Sequence, residues 1–436
     1  MKKLLSNISV LFLFLFSAVA ASSPALDNPW SEIRKNRIEQ LLPDALQTAN
    51  VDAWLIICRE NNNDPLAEHV GCENAGATAA FMFYIDKHGF HSIAFSPSSE
   101  STALAELNLL NKVVSVPRGE SAIQYASEFI KQAQFKRIAI NSSDTNAQAD
   151  GLSYSQRKQL EQDLGKGFVQ RLVSSDDVVY EWLSIKLPEE VEIMTKAAEL
   201  TAQWQIEAYQ TIIPGQTTDA DVARFLKEKM AEHGVGDAWA PDQNPNVNSG
   251  PDRGHSHATD KVIMPGDVIQ TDFGIKLYDR WVSDIQRFAY VLKPGETEPP
   301  KNIQYYWESG RDAGFAAFKA MKPGVRGIDV DAAQSKLMNE HGSEHVMWST
   351  GHPVGYVAHD TGPNLGGSRG ATVRPAAYKT LKEGMVFAFD GFHSWKRGDG
   401  TLKTISVEEM VVIENDGARY LIPPQQELIL IPVNRD

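Results

Sequence analysis

Acidic residues interrupt apolar strands at several places in the second half of this 436-residue chain. In "GDVIQTDFGI", period-two alternation places Asp272 on the same strand face as Val268 and Gln270. In "RWVSDIQRFAYVL", it places Asp284 beside Gln286. The two strands therefore direct two carboxylates to one place. Because buried like charges repel strongly, such a pair needs a cation between the carboxylates or a shared proton.

Three further segments carry groups that bind metal ions. "STGHPVGYVAHDTGP" contains His352 and His359 among glycines, "GMVFAFDGFHSW" ends an apolar strand on Asp390, and "TISVEEMVVI" places Glu408 or Glu409 within an apolar strand. Two aspartates alone would also suit a solvated hairpin. Three aspartates, a glutamate and a histidine instead form an oxygen-rich ligand set that suits divalent Mn, Fe, Co or Zn. Carboxylates of this kind bridge the ions of two-metal hydrolytic sites.

The ordered motifs resemble those of the creatinase/methionine-aminopeptidase family of pita-bread metallopeptidases, in particular its Xaa-Pro dipeptidase (prolidase) and aminopeptidase P branch. The resemblance covers about residues 185 to 420. It rests on five segments: "GHSHATDKVIMPGDVIQTDFG", "SDIQRFAYVL", "GHPVGYVAHD", "LKEGMVFAFDGF" and "VEEMVVIENDG". Any one of them alone would be weak evidence, whereas five in the family's order are specific.

The resemblance implies two divalent metal ions, with Mn as the first expectation and Co, Fe or Zn as alternatives. Asp272 resembles the ligand that holds one ion alone, and Asp284 and Glu408 resemble the carboxylates that bridge both ions. His352 and Asp390 would complete the second ion. Glu408 is chosen over the neighbouring glutamate because that residue faces the other side of its strand.

Three residues have implied catalytic roles. His255 aligns with the family histidine that contacts the amide nitrogen at the cleaved bond, and His359 aligns with the one that polarises its carbonyl. Asp390 takes the place of the family's proton-shuttling glutamate. His257 competes with His255, although the spacing in "HSHATDK" fits His255 better. The implied reaction is hydrolysis of short peptides with proline in the second position by a water that the metal ions activate.

Two departures from the family pattern concern the metal ligands. Asp272 and Asp284 are 12 residues apart, one more than is usual in the family, so the turn between them must absorb a residue or Asp284 changes face. Asp390 replaces a glutamate. Its side chain is shorter by about 1.5 Å, one carbon–carbon bond. We therefore expect weaker binding of the ion shared with His352, or a single occupied site.

Two further departures concern the substrate. Trp348 stands where prolidase-like members often have a histidine, and Ser406 replaces an arginine that helps to organise the substrate end. Arg369 or Arg374 is a candidate substitute. Two alternatives therefore stay open, since a fold does not fix a function. One is a non-peptidase enzyme on the same fold, either a creatinase-like C–N hydrolase or a lyase, and the other is a metal-poor binding protein.

The start of the chain, "MKKLLSNISVLFLFLFSAVAASS", is typical of a secretory signal peptide over residues 1–20. Its apolar run is short for a membrane span, and no later stretch approaches the roughly 20 apolar residues that spanning requires. We therefore expect a secreted or periplasmic mature protein with no membrane association. The formal net charge of the chain is −14, and removal of the signal peptide would also remove the positive charges of Lys2 and Lys3. This negative net charge disfavours nucleic-acid partners.

The pattern of strands and helices predicts an α/β (α+β) protein of two domains. Residues 25–180 are expected to form a creatinase-like α/β domain. Residues 181–436 are expected to form the pita-bread catalytic domain, with a curved, mainly antiparallel sheet flanked by helices. The resemblance also suggests a homodimer. Cys58 and Cys72 could form one disulfide in an oxidising compartment or remain two unpaired small residues.

Overall fold

A computed structural model describes residues 28–73, 75–254, 257–370 and 372–433 of the chain. The predicted signal peptide and the predicted catalytic residue His255 lie outside these ranges. Among the described residues, no helix combines the length and the apolar character needed to cross a bilayer.

Of the twelve α-helices in the described ranges, eight lie before residue 185 and four after it. The α-helices are α1 (Trp30–Asn36), α2 (Leu42–Thr48), α3 (Ala67–Val70), α4 (Ser101–Glu106), α5 (Ala122–Ala133), α6 (Tyr154–Leu164), α7 (Lys166–Val169), α8 (Asp176–Ser184), α9 (Pro188–Gln210), α10 (Asp219–His233), α11 (Lys301–Ala320) and α12 (Gly327–Glu340). A π-helical turn, Arg37–Leu41, joins α1 to α2, and short 3₁₀-helices occupy Ala147–Ala149 and Pro375–Tyr378.

The strands form four sheets in the described part of the chain. They are β1 (Ala53–Cys58), β2 (Ala79–Asp86), β3 (Gly89–Pro97), β4 (Lys112–Val116), β5 (Ile138–Ile140), β6 (Leu172–Ser174), β7 (Gly236–Asp237), β8 (Asn246–Ser249), β9 (Val268–Phe273), β10 (Ile275–Leu277), β11 (Trp281–Val282), β12 (Ile285–Val291), β13 (Gly351–Pro353), β14 (Val386–Lys396), β15 (Leu402–Glu414), β16 (Gly417–Tyr420) and β17 (Ile429–Ile431). The sheet orders are β4-β3-β2-β1-β5-β6, β11-β10-β7, β17-β12-β9-β8 and β13-β14-β15-β16.

The N-terminal sheet is mixed and is built around β1. This strand pairs antiparallel with β2 and parallel with β5, and all six of its residues are buried, as its apolar sequence predicts. Cys58 at its end forms a disulfide with Cys72, and their Cα atoms are 6.2 Å apart. The bond ties the loop after β1 to its strand and settles the alternative that the sequence left open.

Capping signals locate the helices that lead into the second half. Helix α9 begins at Pro188 with two acidic residues in its first turn, an arrangement that the helix dipole favours. Thr218 accepts a hydrogen bond from the Asp221 amide at the start of α10, and Gly234 ends that helix with a φ of 63°. Helix α4 is shorter than "ESTALAELNLL" predicts. Asn108, two residues after its end, takes a left-handed φ of 51°, which is incompatible with further helix.

The hairpin that carries the first two aspartates keeps one register along its whole length. Asp272 in β9 lies opposite Gln286 in β12, and the same pairing continues through β10 and β11. At the tip, Tyr278 and Asp279 take left-handed φ values of 53° and 54°. The turn therefore absorbs the extra residue, and Asp284 stays on the same face as Asp272.

Helix α11 approaches β14 closely beside the acidic cluster. A Cβ atom on Gly391 would lie 2.2 Å from the Gly310 carbonyl oxygen and 2.9 Å from the Gly314 Cα. Only glycine permits this approach of helix to strand. The contact fixes the backbone of β14 next to Asp390.

Candidate metal centre

A cavity of about 540 Å³ is lined by residues from both four-stranded sheets of the second half. The predicted metal ligands all line it: Asp272, Asp284, His352, Asp390 and Glu408. The predicted catalytic His359 lines it too, whereas His255 is outside the described residues. The structure thus brings together every predicted site residue that it describes.

Sheet register accounts for this convergence. Asp390 lies directly opposite Glu408 across β14 and β15. On the neighbouring β13, His352 lies opposite Ala388, which precedes Asp390 by two residues and so shares its face. Glu409 points to the opposite face, as the alternation predicts, and makes a two-pronged ion pair with Arg287 of β12 at 2.9 and 3.1 Å.

Three of the side chains are arranged as a ligand set. The Nε2 atom of His352 lies 3.7 Å from Asp284 Oδ2 and 3.8 Å from Glu408 Oε1. One ligand atom from each of the three residues lies within 4.8 Å of the others. Asp284 and Glu408 are buried, with 5% and 3% of their surfaces exposed. Two carboxylates and an imidazole at this separation are suited to surround a divalent ion.

Electrostatics of the cluster favour a cation. Burial raises the pKa of Asp284 well above its usual range, and the neighbouring Asp272 and Asp390 carboxylates raise this pKa further. Burial is also the main cause of the raised pKa values of Asp390 and Glu408, again with contributions from nearby carboxylates. The Oε2 atom of Glu408 is buried and has no hydrogen-bond partner among the described residues. A divalent ion would neutralise these carboxylates, so the residues present fit a metal site.

His359 stands next to the ligand set. Its ring centroid is 4.2 Å from that of His352. Its neighbour Asp360 forms an ion pair with Lys186 at 3.5 Å and accepts a hydrogen bond of 3.2 Å from Gln148 in the N-terminal part of the chain. The loop that carries His359 is therefore held from outside the cavity.

Gln286 is a central residue that the sequence analysis missed. Its Nε2 atom lies 3.5 Å from Asp272 Oδ2 and 3.3 Å from Asp390 Oδ1, so it contacts acids from both sheets. The available signal was its place in "SDIQR", where the motif of the resembling family has threonine.

The two candidate arginines have different surroundings. Arg369 pairs with Asp331 at 3.1 Å and donates a 2.5 Å hydrogen bond to the Trp348 carbonyl. It therefore links Asp331 to the segment of the cavity wall that contains Trp348. Arg374 lines the cavity, and its side chain makes no hydrogen bond or ion pair with any residue that the structure describes. Of the two, only Arg374 is available to a ligand.

Comparison with known proteins decides the family. Residues 192–415 match the model of metallopeptidase family M24. The chain belongs to this family. Over 282 residues this M24 chain is 29% identical to an Xaa-Pro dipeptidase of Pyrococcus furiosus, in a match that covers 64% of this chain and 73% of that one. It is 25% identical over 265 residues to the probable dipeptidase PepE of Mycobacterium tuberculosis, with coverage of 60% and 64%.

Solved structures share the fold of this M24 protein. An X-Pro aminopeptidase from Thermotoga maritima superposes with a TM-score of 0.65 at 22% identity, over 89% of this chain and 100% of that one. The dipeptidase PepE from Mycobacterium ulcerans gives a TM-score of 0.68 at 20% identity, over 92% and 99%. The predicted family and the predicted α/β pita-bread fold are confirmed. The protein is an M24 metallopeptidase of the Xaa-Pro dipeptidase and aminopeptidase type.

Proposed function

We propose that this M24 metallopeptidase is an exported, two-metal hydrolase of short peptides with proline in the second position. The observation that carries the proposal is the convergence of Asp284, His352 and Glu408 in a cavity that Asp272 and Asp390 also line. The names of the similar proteins, an Xaa-Pro dipeptidase and an X-Pro aminopeptidase, support the choice of substrate.

The proposed ions are divalent, with Mn first and Co, Fe or Zn as alternatives. When bound, they supply Lewis acidity and an activated water. Asp284 and Glu408 would hold both ions, Asp272 would hold one of them, and His352 with Asp390 would hold the other. The shorter side chain of Asp390 would make its ion the more weakly ligated one.

The remaining side chains of the cavity act on the peptide. His359, 4.2 Å from the His352 ring, donates a hydrogen bond to the carbonyl oxygen at the cleaved bond, and Asp390 passes a proton to the departing amine. Trp239, Trp348 and Phe392 line the same cavity and give it an apolar wall that suits the ring of proline.

Hydrolysis of paired dipeptides tests this proposal. Purified protein is stripped of metal, reloaded with Mn and supplied with an Xaa-Pro dipeptide or the Xaa-Ala dipeptide with the same first residue. We expect Mn-dependent release of proline, with kcat/KM at least about tenfold higher than for the alanine peptide, because one pocket contact discriminates by about that factor.

The same samples distinguish the alternatives. Bound metal without cleavage of either dipeptide would contradict the peptidase proposal and favour a creatinase-like C–N hydrolase or a lyase. The replacement of the expected arginine by Ser406 would agree with that result. A chain that neither binds metal nor cleaves peptides would instead be a binding protein.

Arg374 is expected to bind the carboxylate of a dipeptide substrate. A hydrogen bond between charged groups contributes about 1.5–3 kcal/mol. Arg374→Met should therefore raise KM for an Xaa-Pro dipeptide about 10- to 100-fold. KM for the corresponding Xaa-Pro amide, which lacks that charge, should change little. Arg118→Met, at an exposed site in the N-terminal sheet region, is the matched control. Equal effects on both substrates would refute the assignment.

Export rests on the N-terminal sequence alone. Residues 1–20 have the charge, apolar run and small residues of a signal peptide. N-terminal sequencing of the protein recovered from the periplasm or the medium should begin after Ala20. Recovery of the intact N-terminus from the cytoplasm alone would exclude export.

A further inference from the structure

Two asparagines line the cavity at the edge of one sheet. Asn246 and Asn248 belong to β8, the edge strand of the sheet that also contains β9 and β12. Across the strand pair, Asn246 lies opposite Asp272 and Asn248 lies opposite Gln270. Val247, between the two asparagines, points into the apolar core. Strand alternation therefore turns both asparagines toward the cavity, which they line.

The side-chain oxygens of both asparagines are buried acceptors that the fold does not use. Asn246 and Asn248 have 4% and 3% of their surfaces exposed, and their Oδ1 atoms have no hydrogen-bond partner among the described residues. The Nδ2 atom of Asn246 donates to the Gly254 carbonyl at 3.3 Å, which fixes the orientation of that amide. A buried acceptor without a donor is costly, and a bound molecule with a donor group would remove this cost.

Arg374, the proposed site of the substrate carboxylate, belongs to the other side of the cavity. The two sheets meet at β12 and β15, so β8 is the outer edge of one sheet and β13 is the outer edge of the other. Gly351 of β13 and Leu365 exchange backbone hydrogen bonds of 3.2 and 3.0 Å. The Asn364 amide donates to the carbonyl of Ala376, two residues beyond Arg374. These contacts hold the Arg374 segment on the β13 side.

The order of these groups gives the direction of a bound dipeptide. Most of the proposed metal ligands lie on or next to the central strands β9, β12, β14 and β15. A dipeptide with its carboxylate at Arg374 and its cleaved bond at these ligands extends its first residue toward β8. Asn246 lies opposite the proposed ligand Asp272, whereas Asn248 lies two residues further along the same strand face. Asn248 is therefore the better placed contact for the first side chain.

The charge next to this edge favours a neutral ligand group. Asp252, three residues after β8, also lines the cavity. It forms an ion pair of 3.6 Å with the buried Lys403. Its charge is therefore balanced within the protein, and the neutral carboxamides remain as the acceptors offered to the first residue.

We propose that Asn248, supported by Asn246, forms a subsite for the first side chain and selects peptides in which that side chain carries an amide or hydroxyl donor. This inference rests on the proposed function, because the direction of the dipeptide follows from the metal ligands and Arg374. Asn248 is thereby a specificity-determining residue of the proposed reaction.

Two pairs of dipeptides of matched shape test the subsite. Asn-Pro is compared with Leu-Pro, and Thr-Pro with Val-Pro, on the Mn-loaded mature protein. We expect kcat/KM to be at least about tenfold higher for the member with the donor, because the apolar member leaves a buried acceptor unpaired. Calorimetric titration of the metal-free protein with the same dipeptides gives Kd values independently of cleavage. These should differ in the same direction.

Asn248→Leu keeps the shape of the side chain and removes its acceptor. It should lower the ratio of kcat/KM for Asn-Pro to that for Leu-Pro by about tenfold or more, and the ratio of the two affinities should fall with it. Asn364→Leu is the matched control, since it makes the same change in a cavity-lining residue on the β13 side. It should leave both ratios unchanged. Circular dichroism checks that the variants fold. If Asn248→Leu does not fold, Asn248→Ala should lower the same ratios.

Equal kcat/KM and equal Kd within each pair would overturn the inference, as would a preference that the Asn248 variants leave unchanged. The proposed function has a separate outcome. Cleavage of all four dipeptides without preference would contradict the subsite and leave the peptidase proposal in place. A preference in binding without cleavage would support the subsite and contradict the peptidase proposal. Absence of both binding and cleavage would contradict both.

Discussion

Replacement of His352 by alanine is expected to abolish tight metal binding and to lower kcat/KM by on the order of a thousandfold. His352 is the only nitrogen ligand of the converging set in the described structure, and its Nε2 atom lies within 3.8 Å of both carboxylates of that set. A catalytic metal contributes several kcal/mol to stabilisation of the transition state, and each 1.36 kcal/mol changes the rate about tenfold.

The His352 variant has two readouts besides activity. Wild-type protein should melt at a higher temperature when Mn is added, because an ion that binds only the folded chain stabilises it, and the variant should lose this shift. His359→Ala is the matched control. Its ring is 4.2 Å away, so it should lose activity but retain metal and the melting shift. A His352 variant that keeps stoichiometric Mn would remove this residue from the ligand set.

Arg37→Met is expected to lower the free energy of unfolding by about 3–5 kcal/mol, the usual effect of removing one partner from a buried ion pair. Arg37 and Glu190 are both fully buried, and their side chains approach to 2.6 Å. Arg37 also donates hydrogen bonds of 2.6 and 2.8 Å to the carbonyls of Trp182 and Ile185. The substitution therefore leaves the Glu190 carboxylate without its positive partner and two carbonyls without the hydrogen bonds that Arg37 donates.

Urea denaturation of three variants measures this effect. Arg326→Met is the matched control, since its ion pair with Asp329 is about half exposed and should contribute no more than about 1 kcal/mol. Arg37→Met combined with Glu190→Gln should recover part of the loss, because the unpaired charge is gone. If Arg37→Met and Arg326→Met have equal effects, the buried pair is not a major source of stability.

The Arg37 pair also bears on the active site. Glu190 accepts a 2.5 Å hydrogen bond from the Tyr356 hydroxyl, and Tyr356 lies in the loop that carries His359. Asp360 in the same loop is held by Lys186 and Gln148. Through Arg37 and Gln148, the N-terminal part of the chain therefore helps to hold the loop that carries the cavity residue His359.

Local sequence patterns predicted most of the elements that hold the site. Alternation located β9 and β12, and the apolar runs located β14 and β15, because a strand face is determined by neighbours two residues apart. The helical sequence pattern from about Tyr305 to Ala320 corresponds to α11, Lys301–Ala320, and the next helical pattern, from Asp329, begins two residues inside α12. Helix ends were less exact because capping, unlike periodicity, depends on single residues.

The sequence by itself determined which residues are able to bind a metal, since an acid in an apolar strand is costly to bury and its face follows from the strand period. It also placed Glu408 and Glu409 on opposite sides of β15, where the structure has them. These properties are local, and they do not depend on how the sheets meet.

Only the tertiary structure decided what the remaining polar residues do. Ser406 of β15 donates to Gln286 of β12 and accepts from Gln270 of β9, and these two hydrogen bonds exist only once two sheets meet across the cavity. The same is true of the arginines, since Asp331 of α12 engages Arg369, whereas Arg374 lines the cavity. The physical reason is that hydrogen bonds and ion pairs act over a few ångströms, and the sheet packing that creates those distances joins residues more than 100 positions apart.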